Sequence, residues 1–348
     1  MTKQIERWIV KTSKKLASVL SVFALLLSAQ NAYAAAPDWT KFIGKPTKAL
    51  CAGKTYKLGF DIFSDNESFA LIVRKGMLAT AKSMGCVKVE ILSDNADPIK
   101  VQENLNIFIQ KHYDGVMAAQ VVAAAAPGAV RTMKDAKIPM VATFVVHPGV
   151  PFVDVDNEAA GEMAGRGLMS AALSKWGKAT VPYLLIGSLR EGGLNSIQRM
   201  DGYYVGANKV SANFPSSNFI DVPTQGADPA KTNVNTGNAL QTIPKDAKII
   251  LGGINDDNTL AMVQAYKASG RDMANLLAVG QGASQLSSIC SGELYGSVAY
   301  FPENYGKYLI PALMGLINKQ KVPEHVVLPT VLLTKSNVGK YYPASACS

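Results

Sequence analysis

Histidine and cysteine, two of the residues that most often bind transition metals, are scarce in this sequence. It contains 3 histidines and 4 cysteines among its 348 residues. The histidines His112, His147 and His325 are far apart, and no two cysteines have the CxxC spacing of a zinc site. The sequence therefore predicts no metal ion, and no other motif indicates a cofactor.

Catalytic motifs are also absent. The chain has no GxSxG turn, no HExxH helix, no Walker loop and no GxGxxG motif. The fragment Gly280-Gln281-Gly282 is incomplete and fits a turn at the end of a strand. Asp256 and Asp257 are adjacent, which is more typical of a helix cap and its neighbour than of an acid and base pair. We therefore expect a protein that is not an enzyme.

The long apolar run of this chain lies near its N-terminus. Residues 16–29 are apolar, and Ala32-Tyr33-Ala34 supplies the small-x-small pattern of a signal peptidase site. A spanning helix needs about 20 apolar residues, so a retained anchor is the weaker alternative. No cysteine directly follows the run, as a lipid anchor would require. We expect residues 1–34 to be a signal peptide cleaved after Ala34, with the mature protein free in the periplasm.

Clustered positive charge is lacking as well. The formal net charge is +9, but the leader holds five basic residues and one acidic residue, so +5 belongs to the remaining chain. That excess is scattered, without the basic stripe and interleaved aromatic residues of a nucleic-acid surface. The composition therefore indicates a solvated basic surface and no nucleic-acid partner.

Short apolar segments alternate with helix-length periodic segments along the mature chain. This alternation predicts an α/β fold of parallel sheets covered by helices on both faces. At about 314 residues, the mature chain is too long for one compact core and suits two lobes. The predicted strands are residues 56–62, 87–92, 115–119, 139–144, 180–186, 219–222, 248–251, 276–279 and 296–300.

Helix-capping residues follow several of these strands. Asp97-Pro98, Asp228-Pro229 and Asn255-Asp256 each place a capping side chain where a helix should begin. Helices that start there bring their free N–H groups to the carboxyl edge of the sheet, where ligands bind in open α/β folds. Residues 301–333 could belong to either sheet, which predicts shared crossovers, a hinge and a binding cleft.

The four cysteines of the exported chain should form disulfides. Three pairings are possible. Cys51 and Cys86 precede two strands that should be neighbours in a parallel sheet, which favours Cys51 with Cys86 and leaves Cys290 with Cys347.

Six segments, in order, resemble type I periplasmic binding proteins, the family of the ribose and arabinose receptors. The resemblance covers about residues 55 to 335. It implies two doubly wound parallel-sheet lobes joined by a multi-strand hinge: residues 50–155 with 301–328, and residues 156–300 with 329–348. The segments are Lys57 to Phe60 with 65–69 and 74–77, Asp154 to Asn157 with Gly161 and Ala164-Gly165, Asn195 through Arg199 to Tyr203, Gly253 to Asp257, Leu277 to Gly280, and Gly296 to Tyr300 with Pro302 and Gly306.

In this family a sugar is held between the lobes by hydrogen bonds and by aromatic rings. The resemblance implies that Arg199 forks onto a sugar oxygen and that Asn255 binds as an amide at a strand end. Glu67 stands where the arabinose branch has a sugar ligand, and Phe69 where a ring stacks. Asn66 and Asp256 could be ligands or helix caps.

Three positions depart from the pentose receptors. Phe144 lies in the segment that replaces an Asp-Arg pair, Gln281 replaces an aspartate, and Tyr300 replaces a glutamine. The pocket that these residues line should be less polar than a ribose site, which makes ribose a poor candidate.

The sequence thus predicts a periplasmic solute receptor of an ABC importer. We expect a monomer that binds a sugar, polyol or similar small polar molecule and delivers it to a membrane permease. A chemoreceptor as a further partner stays open. The alternative is the same fold with a nucleoside, a signalling furanone or an aromatic compound as ligand, because fold does not fix function.

Overall fold

The computed structural model describes residues 39–212 and 214–347 of the chain. The predicted signal peptide, residues 1–34, lies outside the described residues. Among the helices in the described part, none has the length and apolar character needed to cross a membrane.

The first lobe is built on a six-stranded sheet with the strand order β11-β5-β4-β3-β1-β2. All of its strand pairs are parallel. Its strands are β1 (Tyr56–Ile62), β2 (Val87–Ser93), β3 (Gly115–Ala119), β4 (Met140–Thr143), β5 (Phe152–Val155) and β11 (His325–Leu328). Its helices are α1 (Ser68–Met84), α2 (Pro98–Gln110), α3 (Ala126–Asp135) and α9 (Tyr305–Ile317).

The second lobe has the sheet order β12-β10-β9-β8-β6-β7. Its strands are β6 (Tyr183–Ser188), β7 (Phe219–Pro223), β8 (Ile249–Gly253), β9 (Leu276–Gly282), β10 (Gly296–Ala299) and β12 (Val331–Thr334). Its helices are α4 (Asn157–Trp176), α5 (Leu194–Val210), α6 (Pro229–Leu240), α7 (Asp256–Ala268) and α8 (Leu286–Ser291). The parallel two-lobed α/β fold is therefore confirmed, with one exception.

That exception is β12, which pairs antiparallel with β10. Only Pro329 and Thr330 separate β11 from β12, so the chain passes straight from one sheet into the other without the helical crossover that a parallel strand needs. Within the described residues, the chain also changes sheets between β5 and α4 and between β10 and α9. These connections form the hinge.

Both disulfides join the predicted pairs. Cys51 bonds to Cys86 with a Cα–Cα distance of 5.9 Å, just before the paired residues Tyr56 and Val87. Cys290 bonds to Cys347 with a Cα–Cα distance of 5.4 Å, which ties the C-terminal tail to α8. Each bond closes a loop and restricts the unfolded chain.

Glycines allow α4 and α5 to pack against each other at backbone distance. A Cβ atom on Gly161 would lie 2.0 Å from the carbonyl oxygen of Arg199, and one on Gly165 would lie 2.0 Å from that of Tyr203. Neither position has room for a methyl group. The contact fixes the position of Arg199 relative to α4 and the cleft.

We expect Gly165→Ala to lower the free energy of unfolding by about 1–3 kcal/mol, because the added methyl group must push two helix backbones apart. Gly237→Ala is the matched control: a Cβ there meets no atom within 4 Å, and Gly237 lies inside α6. That variant should gain about 0.5–1 kcal/mol from helix propensity. Urea denaturation measures both, and equal effects would contradict the packing argument.

Candidate functional site

A small cavity lies between the two lobes, at the carboxyl ends of the strands of both sheets. It encloses about 60 Å³. Pockets for drug-sized ligands are about 300–1,000 Å³, so the closed cavity is small and its own side chains must move apart before a ring-sized ligand fits. It is lined by Phe63, Glu67, Phe69, Val121, Phe144 and Val145 of the first lobe, by Leu189, Ser196, Arg199, Ala227, Ile254, Asn255, Gln281 and Gly282 of the second, and by Tyr300 in the hinge.

Aromatic rings form one wall of this cavity. Phe69 contacts Phe144 and Tyr300 edge to face, with ring centres 5.8 Å and 6.2 Å apart. Phe63 packs against Phe144 in the same way at 5.6 Å. Such contacts hold each ring in a fixed orientation. The wall therefore presents a rigid apolar surface to whatever enters the cleft.

Arg199 faces this wall from helix α5. Its Nε donates to Asn157 Oδ1 at 2.8 Å, Nη2 donates to the same oxygen, and Nη1 donates to the carbonyl oxygen of Ile254 at 3.0 Å. The guanidinium carbon lies 4.9 Å from the centre of the Tyr300 ring. A guanidinium has further N–H donors beyond those three. The protein thus fixes the plane of the group while donors remain for a ligand.

Gln281 and Tyr300 bind each other inside the cavity. The Tyr300 hydroxyl donates to Gln281 Oε1 at 2.5 Å, and Gln281 Nε2 donates to the carbonyl oxygen of Ala160 at 3.5 Å. Burial raises the pKa of Tyr300 well above its usual range, against the opposing effect of Arg199. The phenol therefore stays protonated and remains a hydrogen-bond donor.

Glu67 and Asn255 join the lobes across the mouth of the cavity. Asn255 Nδ2 donates to Glu67 Oε1 at 3.1 Å, while Glu67 Oε2 accepts from the Ala70 N–H at 2.7 Å. Burial, and secondarily the charges of Asp257 and Asp256, raise the pKa of Glu67 to about 8. At neutral pH the closed site therefore favours the protonated form of Glu67.

A second contact between the lobes lies beside the first. Gln285 Nε2 donates to Ser68 Oγ at 2.8 Å, and the Ser68 N–H donates to Asp257 Oδ2 at 3.2 Å. These bonds join the start of α1 to the second lobe. The structure is therefore in a closed conformation.

Asn66 and Asp256 do not line the cavity. Asn66 is exposed and accepts a hydrogen bond from Ser64 Oγ at 2.9 Å. The cap of α1 is Glu67 and not Asn66, because the extended backbone before the helix ends one residue later.

Asp256 is the first residue of α7, and its cap is Asn255, whose Oδ1 accepts from the Asn258 N–H at 2.8 Å. The Asp256 carboxylate points into the second lobe. It accepts from Ser297 Oγ at 2.7 Å and from the Ser284 N–H at 2.8 Å. Burial raises its pKa to about 6. Asp256 therefore organises the loop after β9 and not the cavity.

The structure brings the other seven predicted ligand residues together: Glu67, Phe69, Phe144, Arg199, Asn255, Gln281 and Tyr300 line one cavity. Sequence reasoning missed Phe63, Ser196 and the small apolar lining residues. Phe63 directly follows β1, and its place at a strand end was a usable signal. Leu189 and Ala227 carried no chemical signal. In the described residues, no three His, Cys, Asp or Glu side chains are grouped so as to hold a metal ion.

Comparisons with known proteins match this architecture. A protein of Rhizobium meliloti that carries the name rhizopine-binding protein is 26% identical over 290 residues, which is 79% of this chain and 89% of that one. Among solved structures, the Caulobacter myo-inositol binding protein bound to myo-inositol has a TM-score of 0.71 at 20% identity, covering 83% of this chain and 96% of its own.

A solute binding protein from Actinobacillus succinogenes with bound D-allose has a TM-score of 0.69 at 19% identity, covering 82% of this chain and 100% of its own. At these identities the solved structures bear on the fold. The family model described as periplasmic binding protein domain matches residues 59–321. With most of the sequence inside that match, this chain belongs to the periplasmic binding protein domain family.

Proposed function

We propose that this protein is the solute receptor of an ABC importer and binds a sugar or cyclitol-like polyol between its lobes. The observation that supports this is the cavity itself, where a fixed arginine, an amide, a phenol and a carboxyl group face a rigid aromatic wall. Hydroxyl groups of a ring would pair with the polar side chains, and the apolar face of the ring would lie on the aromatic side chains.

A cationic ligand does not fit the charge of this cavity. Arg199 is cationic but is held by neutral acceptors, and Glu67 favours its protonated form. Buried polar groups that a wrong solute leaves unpaired cost about 1–3 kcal/mol each, so selectivity follows from matching hydroxyl positions. The names of the similar proteins, which mention rhizopine, myo-inositol and D-allose, support the same chemical class.

Ribose is disfavoured within this class. Phe144, Gln281 and Tyr300 occupy places where the pentose receptors have charged or amide ligands, and Phe144 packs against other rings. A hexose or cyclitol has one more carbon than a pentose and offers more area to this wall. Membership of the ribose and arabinose branch remains a prediction.

The proposed cycle contains no chemical step. The ligand stabilises the closed conformation, and a membrane permease recognises the closed lobes.

We propose export by cleavage after Ala34, and lobes formed by residues 50–155 with 301–328 and 156–300 with 329–348. N-terminal sequencing of the secreted protein tests the cleavage site.

Calorimetry of the mature protein against pentoses, hexoses, linear polyols and cyclitols tests the ligand class. Binding of at least one hexose or cyclitol, with ribose weaker, is the expected result. If no member of the panel binds, the proposal is rejected. Mass spectrometry of any molecule that co-purifies then separates a nucleoside, a furanone and an aromatic compound as the alternative ligands.

Arg199→Lys should weaken binding of the tightest panel member by about 10- to 100-fold, because lysine cannot reproduce the planar fork that faces the cleft. Arg166→Lys is the matched control: Arg166 lies on the neighbouring helix α4, is more than half exposed and pairs with Glu162. That control should bind like the unsubstituted protein. Equal affinities for the two variants would contradict the proposed role of Arg199 in ligand binding.

The closed conformation should weaken as the pH rises from about 5 to 8. The pKa of Glu67 is about 8 in the closed site, against an ordinary value of 4.5 when the carboxyl is in water, so closure takes up a proton between these values. Raising the pH therefore favours opening. Small-angle scattering of the ligand-free protein measures this as a larger radius of gyration.

Glu67→Gln keeps an acceptor for Asn255 and cannot ionise, so its radius of gyration should stay constant over that pH range. Glu158→Gln, at an exposed acid on α4, should retain the pH dependence. If Glu67→Gln opens with pH as the unsubstituted protein does, another group governs the transition.

A further inference from the structure

Arg199 depends on one side chain for most of its support. Asn157 Oδ1 accepts from both Nε and Nη2 of the guanidinium, and among the described residues the other acceptor is the Ile254 carbonyl oxygen. Asn157 is 4% exposed and does not line the cavity. It therefore acts on the ligand site through Arg199 and not by touching a ligand.

The orientation of the Asn157 amide is itself determined. Asn157 Nδ2 donates to Asp154 Oδ2 at 3.0 Å and to the Val155 carbonyl oxygen at 3.2 Å. A flipped amide would lose these acceptors and would turn its N–H groups toward a cation. The oxygen must therefore face Arg199.

Asp154 completes this chain of contacts from the other side of the hinge. It is wholly buried in β5 of the first lobe, and its Oδ1 accepts from the Tyr305 hydroxyl at 3.4 Å. Asn157 opens α4 of the second lobe, and Arg199 lies on α5. The series Asp154, Asn157, Arg199 thus crosses the hinge at the connection between β5 and α4.

A buried carboxylate with no cation in direct contact is costly. Burial raises the pKa of Asp154, while Arg199 is the strongest opposing influence and His325 a weaker one. Tyr300 and Tyr305 are the other titratable groups that face it. The amide of Asn157 lies between the two charged groups: it donates to the carboxylate of Asp154 and accepts from the guanidinium of Arg199.

We propose that Asp154 and Asn157 are positioning residues that carry a hydrogen-bonded link across the hinge and hold Arg199 in its ligand-binding orientation. The inference rests on the proposed function, since it takes Arg199 as a ligand contact. The amide of Asn157 satisfies the Asp154 acceptor and the cationic donor of Arg199 at once. A carboxylate at position 157 would leave Asp154 without its donor, and an alkyl group would leave both Asp154 and Arg199 unmatched.

The test compares Asn157→Ala, Asn157→Asp and the transposed pair Asp154→Asn/Asn157→Asp. With the tightest sugar or cyclitol of the panel as probe, Asn157→Ala should lose about 10- to 100-fold in affinity, the range for a lost hydrogen bond to a charged group. Glu158→Ala, at the exposed next residue of α4, is the control and should change affinity less than about twofold.

Asn157→Asp separates positioning from a merely structural role through its pH profile. The introduced carboxylate still accepts from Arg199 but repels the carboxylate of Asp154. One of these two acids must therefore bind a proton before the repulsion is relieved. Relative to the unsubstituted protein at each pH, affinity should be close to normal near pH 5 and fall by about tenfold or more by pH 8. The transposed pair restores one amide and one carboxylate, and should recover affinity and lose this pH dependence.

A readout without ligand keeps the inference apart from the proposed function. Side-chain NMR of the Arg199 Nε–H, assigned with Arg199→Lys, should show faster hydrogen exchange in Asn157→Ala and protection in the transposed pair. Unchanged exchange in Asn157→Ala, or a transposed pair no better than Asn157→Asp, would overturn the positioning role. If the unsubstituted protein binds no member of the sugar and polyol panel, the proposed ligand class is rejected. The hydrogen-exchange result at Arg199 then decides this inference by itself.

Discussion

The common direction of the strands is the constraint on which the whole site depends. In each sheet every strand of the central part runs parallel to its neighbours, so the loops that follow the strands gather at one edge. The two lobes turn these edges toward each other. Residues distant in sequence, such as Glu67 of the first lobe and Arg199 and Gln281 of the second, therefore line one cavity because the strands of each lobe run toward it.

The second constraint is that polar groups taken out of water must find partners. In the closed structure they find each other: Tyr300 with Gln281, Glu67 with Asn255, and Arg199 with Asn157. A ligand must compete with these contacts or use the donors that they leave. This condition favours ligands with several hydroxyl groups and explains why an apolar wall and a polar set of side chains coexist in a small cavity.

The hinge connects these two constraints. The connection between β5 and α4 contributes to the sheet of one lobe and begins the first helix of the other. Buried polar side chains at this point, Asp154 and Asn157, lie directly behind the arginine of the cleft. The connection between the lobes and the side chain of Arg199 are thus joined by a few hydrogen bonds.

Much of this architecture was predictable because it follows from local rules. Alternating apolar and amphipathic segments predicted β1 to β4 and β6 to β10, and β1 and β3 have the predicted bounds. Capping chemistry predicted the starts of α2, α6 and α7, where Asp97, Asp228 and Asn255 accept from helix N–H groups. The positions of Cys51 and Cys86 before neighbouring strands favoured the first disulfide, which left Cys290 to pair with Cys347, and the structure contains both bonds.

Assigning caps within the loops was less successful, because a shift of one residue decides whether a side chain caps a helix or faces a cleft. Asn66 and Asp256 were candidates for the site, yet Glu67 and Asn255 are the caps and also line the cavity. Neighbouring polar residues have similar local propensities. Only the exact end of the preceding extended backbone distinguishes them.

By itself the sequence determined the fold class, the alternation of strands and helices, and most of the residues that reach the cleft, since periodicity, caps and strand ends are local properties. Tertiary structure alone decided which polar groups pair, that β12 runs antiparallel, and that Asn157 supports Arg199. Those outcomes depend on distances between segments far apart in the chain, such as Asn157 and Arg199, which are separated by 42 positions, and no local pattern records them.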